Sequence, residues 1–129
     1  MTVKELMTNN LITVPPEEDV IYAFYLLKKH DIRQLPVVAD EGLVGIVTER
    51  DLRMLIEKPP IKIRSAMSTN VFKVNENTPA ESAAQLIREK KINALPVVND
   101  ENQLVGIITV TDILGGLIDM IDSDGSKSS

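Results

Sequence analysis

The sequence predicts a mixed α/β fold: two β-α-β-β-α copies of one unit, related by a pseudo-twofold axis, with their sheets packed and helices outside. Three observations carry this. The chain repeats itself, with Met7 to Glu41 matching Met67 to Glu101 at an offset of 60 and Leu43 to Asp51 matching Leu104 to Asp112 at 61. From Met7 to Asp51, 18 of 45 columns are identical, so the repeat is a duplicated supersecondary unit and not chance. Each copy then carries two short apolar runs joined by a polar turn, the pattern of a buried hairpin. Finally, each copy places an amphipathic helical stretch before that hairpin and a second one after it.

A copy of about 60 residues rarely buries its apolar face alone, so the two are expected to share one body. The reading divides the chain into residues 1–58, residues 59–121 and a polar tail, 122–129, expected to lack structure.

Taken in order, Thr2-Val3-Lys4-Glu5 has the spacing of a capping box and opens a short helix, and Ile61 to Ala66 plays the same part before the second copy. Leu11 to Val14 and Val71 to Val74 each read as a brief strand or extended segment. The first long helix is predicted from Glu18 or Asp19 to about His30, with Val20, Ala23, Phe24 and Leu27 on one face. Its counterpart is predicted to start with Thr78 as N-cap and Pro79 at the first helical position, burying Ala80, Ala83, Ala84 and Ile87. Leu35 to Val38 and Leu43 to Val47 form the first hairpin, and the second turns through Asn99 to Gln103. The closing helices are predicted over Glu49 to about Glu57 and Thr111 to about Ile121. In the latter, Ile113, Leu114, Leu117, Ile118 and Ile121 form one stripe, which Gly115-Gly116 weakens by about 1 kcal/mol per glycine. Glu57-Lys58-Pro59-Pro60 stops the first copy.

Composition narrows the function classes. A net charge of -5 and 3% aromatic residues argue against nucleic acid, which demands clustered cations or stacking rings. The absence of cysteine excludes disulfides, thiolate metal sites and cysteine nucleophiles, and suits a reducing cytoplasm. Neither a secretory h-region nor an apolar run of membrane-spanning length is present. No nucleophile and base pair, metal-ligand cluster or P-loop pattern occurs, so the reading is of a protein that is not an enzyme and holds no metal or cofactor. His30, the only histidine, stands where the first long helix ends, a favourable place for a cation.

The order of Leu35-Pro36-Val37-Val38 and Gly45-Ile46-Val47-Thr48-Glu49-Arg50-Asp51, repeated as Leu95-Pro96-Val97-Val98 and Gly106-Ile107-Ile108-Thr109-Val110-Thr111-Asp112, resembles the CBS (cystathionine beta-synthase) domain. The resemblance covers residues 1 to 121 and implies a tandem CBS pair of the stand-alone type. That implies a regulatory module, which senses an adenosyl-containing ligand (AMP, ADP, ATP or S-adenosylmethionine) in the cleft between the repeats and signals to an unidentified protein partner. It also implies a homodimer.

The resemblance assigns Asp51 and Asp112 to ribose hydroxyls, with Thr48, Thr109 and Thr111 near ribose or phosphate, and it favours Arg33 and Arg50 for phosphate. Repeat two has Asn93 and Thr111 in the places of those arginines, so one phosphate-competent site and one weaker or differently selective site are expected. The implied adenine-pocket positions are Met7, Ile12 and Ile32, and Met67, Phe72, Ile92 and Asn93. Thr-x-x-Asp before an apolar helix is also a capping arrangement, stabilising by about 1 kcal/mol with no ligand. The apolar positions equally suit core, and Arg50 with Arg53 equally suits a solvated helix face. The alternative to the sensor is a ligand-free scaffold whose helices mediate dimerisation.

Overall fold

The computed structural model describes the backbone of residues 1–9 and 11–128 and the side-chain surroundings through residue 122. It is a mixed α/β structure of small sheets and short helices. The chain forms two compact units that cross the sequence repeat. One comprises Ile12–Val71 with Glu101–Leu104, and the other Met1–Leu11, Phe72–Asp100 and Val105–Ser129. The segment before each copy's first strand position thus packs with the hairpin of the other copy.

The first unit is built on the hairpin of β1 (Gln34–Ala39) and β2 (Gly42–Thr48), paired antiparallel from Gln34↔Thr48 to Ala39↔Gly42 with a bulge at Val37/Val38. Gly42 at φ +108° closes the turn, a conformation that β-carbon-bearing residues rarely adopt. Val14 bridges Val37 in parallel and Ser68 bridges Ile46 antiparallel, so each hairpin edge has a partner. Helix α2 (Val20–His30) starts as predicted, with the Asp19 carboxylate accepting from the Ile21 N–H at 2.8 Å, and ends at Asp31 in the left-handed region. It lays Val20, Ala23, Leu26 and Leu27 on a core with Leu35, Val37, Val47, Leu52 and Ile63. Ile63 belongs to α4 (Ile63–Ala66).

Helix α3 spans only Glu49–Arg53, where the sequence predicts a helix to about Glu57. The next residues form tight turns, with Leu55 N–H on the Leu52 carbonyl and Lys58 N–H on the Leu55 carbonyl. The chain must leave helical geometry ahead of Pro59-Pro60, and only Leu52 anchors the short helix fully. The strand predicted over Leu11 to Val14 reduces to the bridge at Val14, because Pro15 and Pro16 have no N–H to extend a ladder.

The second unit mirrors this plan. Its sheet orders β3 (Val74–Asn75), β4 (Ala94–Val98) and β5 (Leu104–Thr109), with β3 parallel to β4 and Thr8 bridging Ile107. Helix α1 (Val3–Leu6) begins at Thr2, whose backbone N–H and hydroxyl both donate to the Glu5 carboxylate, at 3.5 and 3.3 Å. Helix α5 (Ala80–Lys90) starts one residue later than predicted: Pro79, not Thr78, is the N-cap, and no side chain caps it. Val3, Val74, Ala83, Ile87, Leu95, Val97 and Ile108 form the core.

Helix α6 runs Val110–Ser128, so the polar segment after Asp122 continues a helix where the sequence suggests an unstructured tail; Ser129 lies outside the described residues. Extending a formed helix adds one hydrogen bond per residue without a new nucleation cost, and no proline interrupts it. The α6 stripe is divided between core and surface. Ile113 packs against the core, while Leu114, Leu117, Ile118 and Ile121 are each at least half exposed.

The two α6 glycines are not equivalent. Nothing lies within 4 Å of a β-carbon at Gly115, whereas one at Gly116 would stand 2.6 Å from Leu6 Cδ2. Gly115→Ala is therefore expected to raise stability by about 0.5–1 kcal/mol through helix propensity. Gly116→Ala is expected to gain less than this or to lose stability, because the Leu6 side chain must move to admit the methyl group. Urea midpoints of the two variants check this, and equal shifts of one sign contradict it.

Candidate functional site

Of the predicted site residues, Arg33, Thr48 and Arg50 converge. They line, with Gln34, Glu49 and Arg53, an open cleft of about 690 Å³ that lies wholly within the β1–β2 unit. The hairpin register brings this about: Gln34 pairs with Thr48, so the residue entering β1 lies beside the start of α3, and the Glu49 N–H donates to the Arg33 carbonyl at 2.8 Å. Thr48 is the N-cap of α3 and accepts from the Asp51 N–H at 3.3 Å, so it fixes the turn whether or not a ligand is present.

The cleft's charge is uneven. Glu49 Oε1 receives Lys28 Nζ of α2 at 2.6 Å and the Arg53 guanidinium at 2.5 Å. The Lys28 hydrogen bond, then that of Arg53, holds the Glu49 carboxyl below its ordinary value, against a smaller opposing effect of burial. The two ion pairs are therefore intact above the ordinary carboxylate range and are lost as pH falls through the lowered pKa. Arg33 and Arg50 are exposed, and among the described residues their side chains have no ion-pair or hydrogen-bond partner.

Asp51 is exposed, its carboxylate makes no hydrogen bond, and it lies outside the residues that line the cleft. Successive helical residues diverge by about 100°, so the face that presents Glu49, Arg50 and Arg53 turns Asp51 to one side.

In the β4–β5 unit the same motif is closed upon itself. Asp112 is half-buried and accepts from the Thr109 N–H at 3.0 Å and from the Thr8 hydroxyl at 3.2 Å, while its own N–H donates to Thr109 Oγ1 at 3.1 Å. Thr111 and Asn93 are exposed, and the Asn93 carbonyl accepts from the Val110 N–H as Arg33 does from Glu49. Thr8 was not among the sequence candidates; it lies 104 residues from Asp112, and nothing local announces the contact.

The predicted adenine-pocket positions are largely engaged in packing. A β-carbon on Gly45 would stand 2.6 Å from Met67 Sδ, and one on Gly106 2.5 Å from Met7 Sδ. The motif glycines thus make room for these two methionines. Ile12 and Ile32 pack against one core and Ile92 against the other. Phe72 is 40% exposed, with Lys90 Nζ 5.0 Å from its ring centroid. Gln34, Glu49 and Arg53 complete the lining of the cationic cleft, with Lys28 bonded to Glu49 beside it, and none of the four was a sequence candidate. The i, i+4 spacing of Glu49 and Arg53 was a usable signal for that pair, whereas the link to Lys28 depends on tertiary structure.

The family model of the CBS domain matches residues 3–58 and 63–119. The chain belongs to the CBS domain family. It is a tandem CBS pair, 31% identical over 135 residues to a CBS domain-containing protein of Dictyostelium discoideum, with 93% of each chain covered. It is also 38% identical over 111 residues to an inosine-5'-monophosphate dehydrogenase of Methanocaldococcus jannaschii; 85% of this chain is covered, but it spans only 22% of that enzyme.

Among solved structures, the CBS-pair protein CBSX2 of Arabidopsis thaliana is similar with a TM-score of 0.86 at 30% identity, covering 94% of this chain and 96% of that one. CBSX2 in complex with AMP gives 0.82 at 31%, covering 92% and 97%. The CBS pair of protein MJ0100, in complex with 5'-methylthioadenosine and S-adenosyl-L-methionine, gives 0.76 at 32%, covering 90% and 97%. CBS pairs similar to this one therefore bind adenosyl compounds. Among the described residues of this CBS pair, no helix is long and apolar enough to cross a membrane.

Proposed function

We propose that this CBS pair is a regulatory module of the cytoplasm. It takes an adenosyl ligand with an anionic group at the cationic cleft of the β1–β2 unit and signals its occupancy to a protein partner. The observation that carries the reading is the convergence of Arg33, Thr48 and Arg50, with two guanidinium groups that no carboxylate among the described residues engages. Such groups hold phosphate through forked, charge-assisted hydrogen bonds. Asp51, whose carboxylate is likewise unengaged and stands to one side of the cleft, is the acceptor for ribose hydroxyls that extend past the cleft rim from the phosphate, and the AMP complex of CBSX2 supports a nucleoside monophosphate as the ligand class. The β4–β5 unit, with Asp112 already bonded and Asn93 and Thr111 replacing the arginines, is the weaker or differently selective site.

A second reading, of a scaffold that assembles without ligand, is favoured by the exposed Leu114, Leu117, Ile118 and Ile121 of α6. A second copy of the chain is the proposed occupant of this face, following the dimer the family resemblance implies. The sensor and the dimer are compatible.

Thermal unfolding against AMP, ADP, ATP and S-adenosylmethionine separates the readings. A ligand at 100 times its Kd is expected to add about 2.7 kcal/mol, a rise of several degrees. That rise is expected to vanish in Asp51→Ala and to persist in Asp112→Ala. No rise with any of the four leaves the scaffold standing and the sensor refuted.

A further inference from the structure

Three guanidinium groups line the β1–β2 cleft, but they are not equally available. Arg53 is held by Glu49 at 2.5 Å, and the same carboxylate oxygen holds Lys28 at 2.6 Å. Arg33 and Arg50 are left without partners among the described residues. Two unpaired cations match one phosphate monoester, which carries about -1.5 to -2 charge at neutral pH. Without Glu49 the same cleft would present three free guanidiniums and the neighbouring ammonium, a charge suited to a polyphosphate.

We infer that Glu49 is a specificity-determining residue. By occupying Arg53 and Lys28, it leaves the cleft with charge for one phosphate and disfavours a second and third. This rests on the reading of the cleft as an anion site.

A β- or γ-phosphate entering the cleft has two options, both costly. It meets the Glu49 carboxylate at short range, or it displaces that carboxylate from two cations and leaves it unpaired. Geometry holds Glu49 in place from two directions: Arg53 lies one turn along α3, and Lys28 reaches across from the last turn of α2. With only about a fifth of its side chain exposed, Glu49 is not free to swing into solvent.

Glu49 also ties α2 to α3, so a purely structural role must be told apart from charge selection. Loss of a structural tie weakens every ligand alike, whereas loss of a charge selector changes the ratio between ligands of different charge.

The test is calorimetric titration of AMP and of ATP, both with EDTA present, into the wild type, Glu49→Gln and Asp40→Asn. Asp40 is an exposed carboxylate in the β1–β2 turn, so its substitution changes net charge equally but lies outside the cleft lining. The wild type is expected to prefer AMP. Glu49→Gln is expected to shift the ATP-to-AMP affinity ratio by about tenfold or more toward ATP, the effect of freeing one charge-assisted hydrogen bond. Asp40→Asn is expected to leave the ratio within about twofold, since exposed charges are screened over about 10 Å. Binding of AMP with an unchanged ratio in Glu49→Gln, an equal shift in Asp40→Asn, or a wild-type preference for ATP overturns the role of Glu49 and leaves the anion site standing. If neither nucleotide binds any of the three proteins, the anion site itself is refuted and the role of Glu49 with it.

Discussion

Leu52→Ala is expected to destabilise the protein by about 2–5 kcal/mol, the range for truncating a leucine that no solvent reaches. Leu52 is 0% exposed and joins α3 to a core that includes Leu35, Val47 and Leu27. The helix has five residues, too few to persist on propensity, so it depends on this anchor, on the Thr48 cap and on the Glu49 ion pairs with Lys28 and Arg53. The consequence reaches function, because α3 also presents Glu49, Arg50 and Arg53 to the cleft. The variant is expected to show a fall in Tm of about 10 °C or more together with weakened AMP binding. A loss below about 1 kcal/mol in urea unfolding contradicts the packing described for this helix.

The second large effect concerns the glycine of the Gly-x-x-Thr motif. A β-carbon on Gly45 meets Met67 Sδ at 2.6 Å, Met67 Cγ at 2.9 Å and the Ser68 carbonyl oxygen at 3.0 Å. The methionine can swing aside, but the carbonyl is held by the Ile46 N–H at 3.0 Å. Gly45→Ala is expected to cost about 1–3 kcal/mol as an overpacking change. Met67→Ala in the same background is expected to recover part of that loss, so the pair is less destabilised than the sum of the single changes by about 0.5 kcal/mol or more. The cycle has a bearing on topology. Met67 belongs to the second sequence copy, yet packs in the unit built on the first copy's hairpin. If each copy folded on itself, Met7 and not Met67 would couple to Gly45.

Much of this architecture is legible in the sequence where the signal is local. The start of α2 is written in Asp19 ahead of an apolar face, and the β1–β2 hairpin in two apolar runs around Asp40-Glu41-Gly42. Arg33, Thr48 and Arg50 are grouped by the family resemblance alone; the structure brings them to one cleft because the residues flanking the β1–β2 hairpin meet at the start of α3. What failed is what depends on distant partners. The early end of α3 reflects the pull of Pro59 and Pro60 on a helix that a single buried leucine secures, and periodicity alone extends it too far. The bonds that close Asp112 come partly from Thr8, and the second cation on Glu49 comes from Lys28, 21 residues away. Periodicity marks the apolar stripe of α6 but not what covers it: of its residues Ile113 packs against the core, and Leu114, Leu117, Ile118 and Ile121 stay exposed.

The central claim is that an adenosyl ligand binds at the cationic cleft of the β1–β2 unit. Titration of AMP into the protein, followed through the backbone amide signals of residues 48–53 and 109–113, tests it most directly. The signals of Thr48 to Arg53, with those of Arg33 and Gln34, are expected to move saturably, and those of Thr109 to Ile113 to respond later or not at all. Movement confined to Thr109 to Ile113, or no movement at saturating AMP, would contradict it.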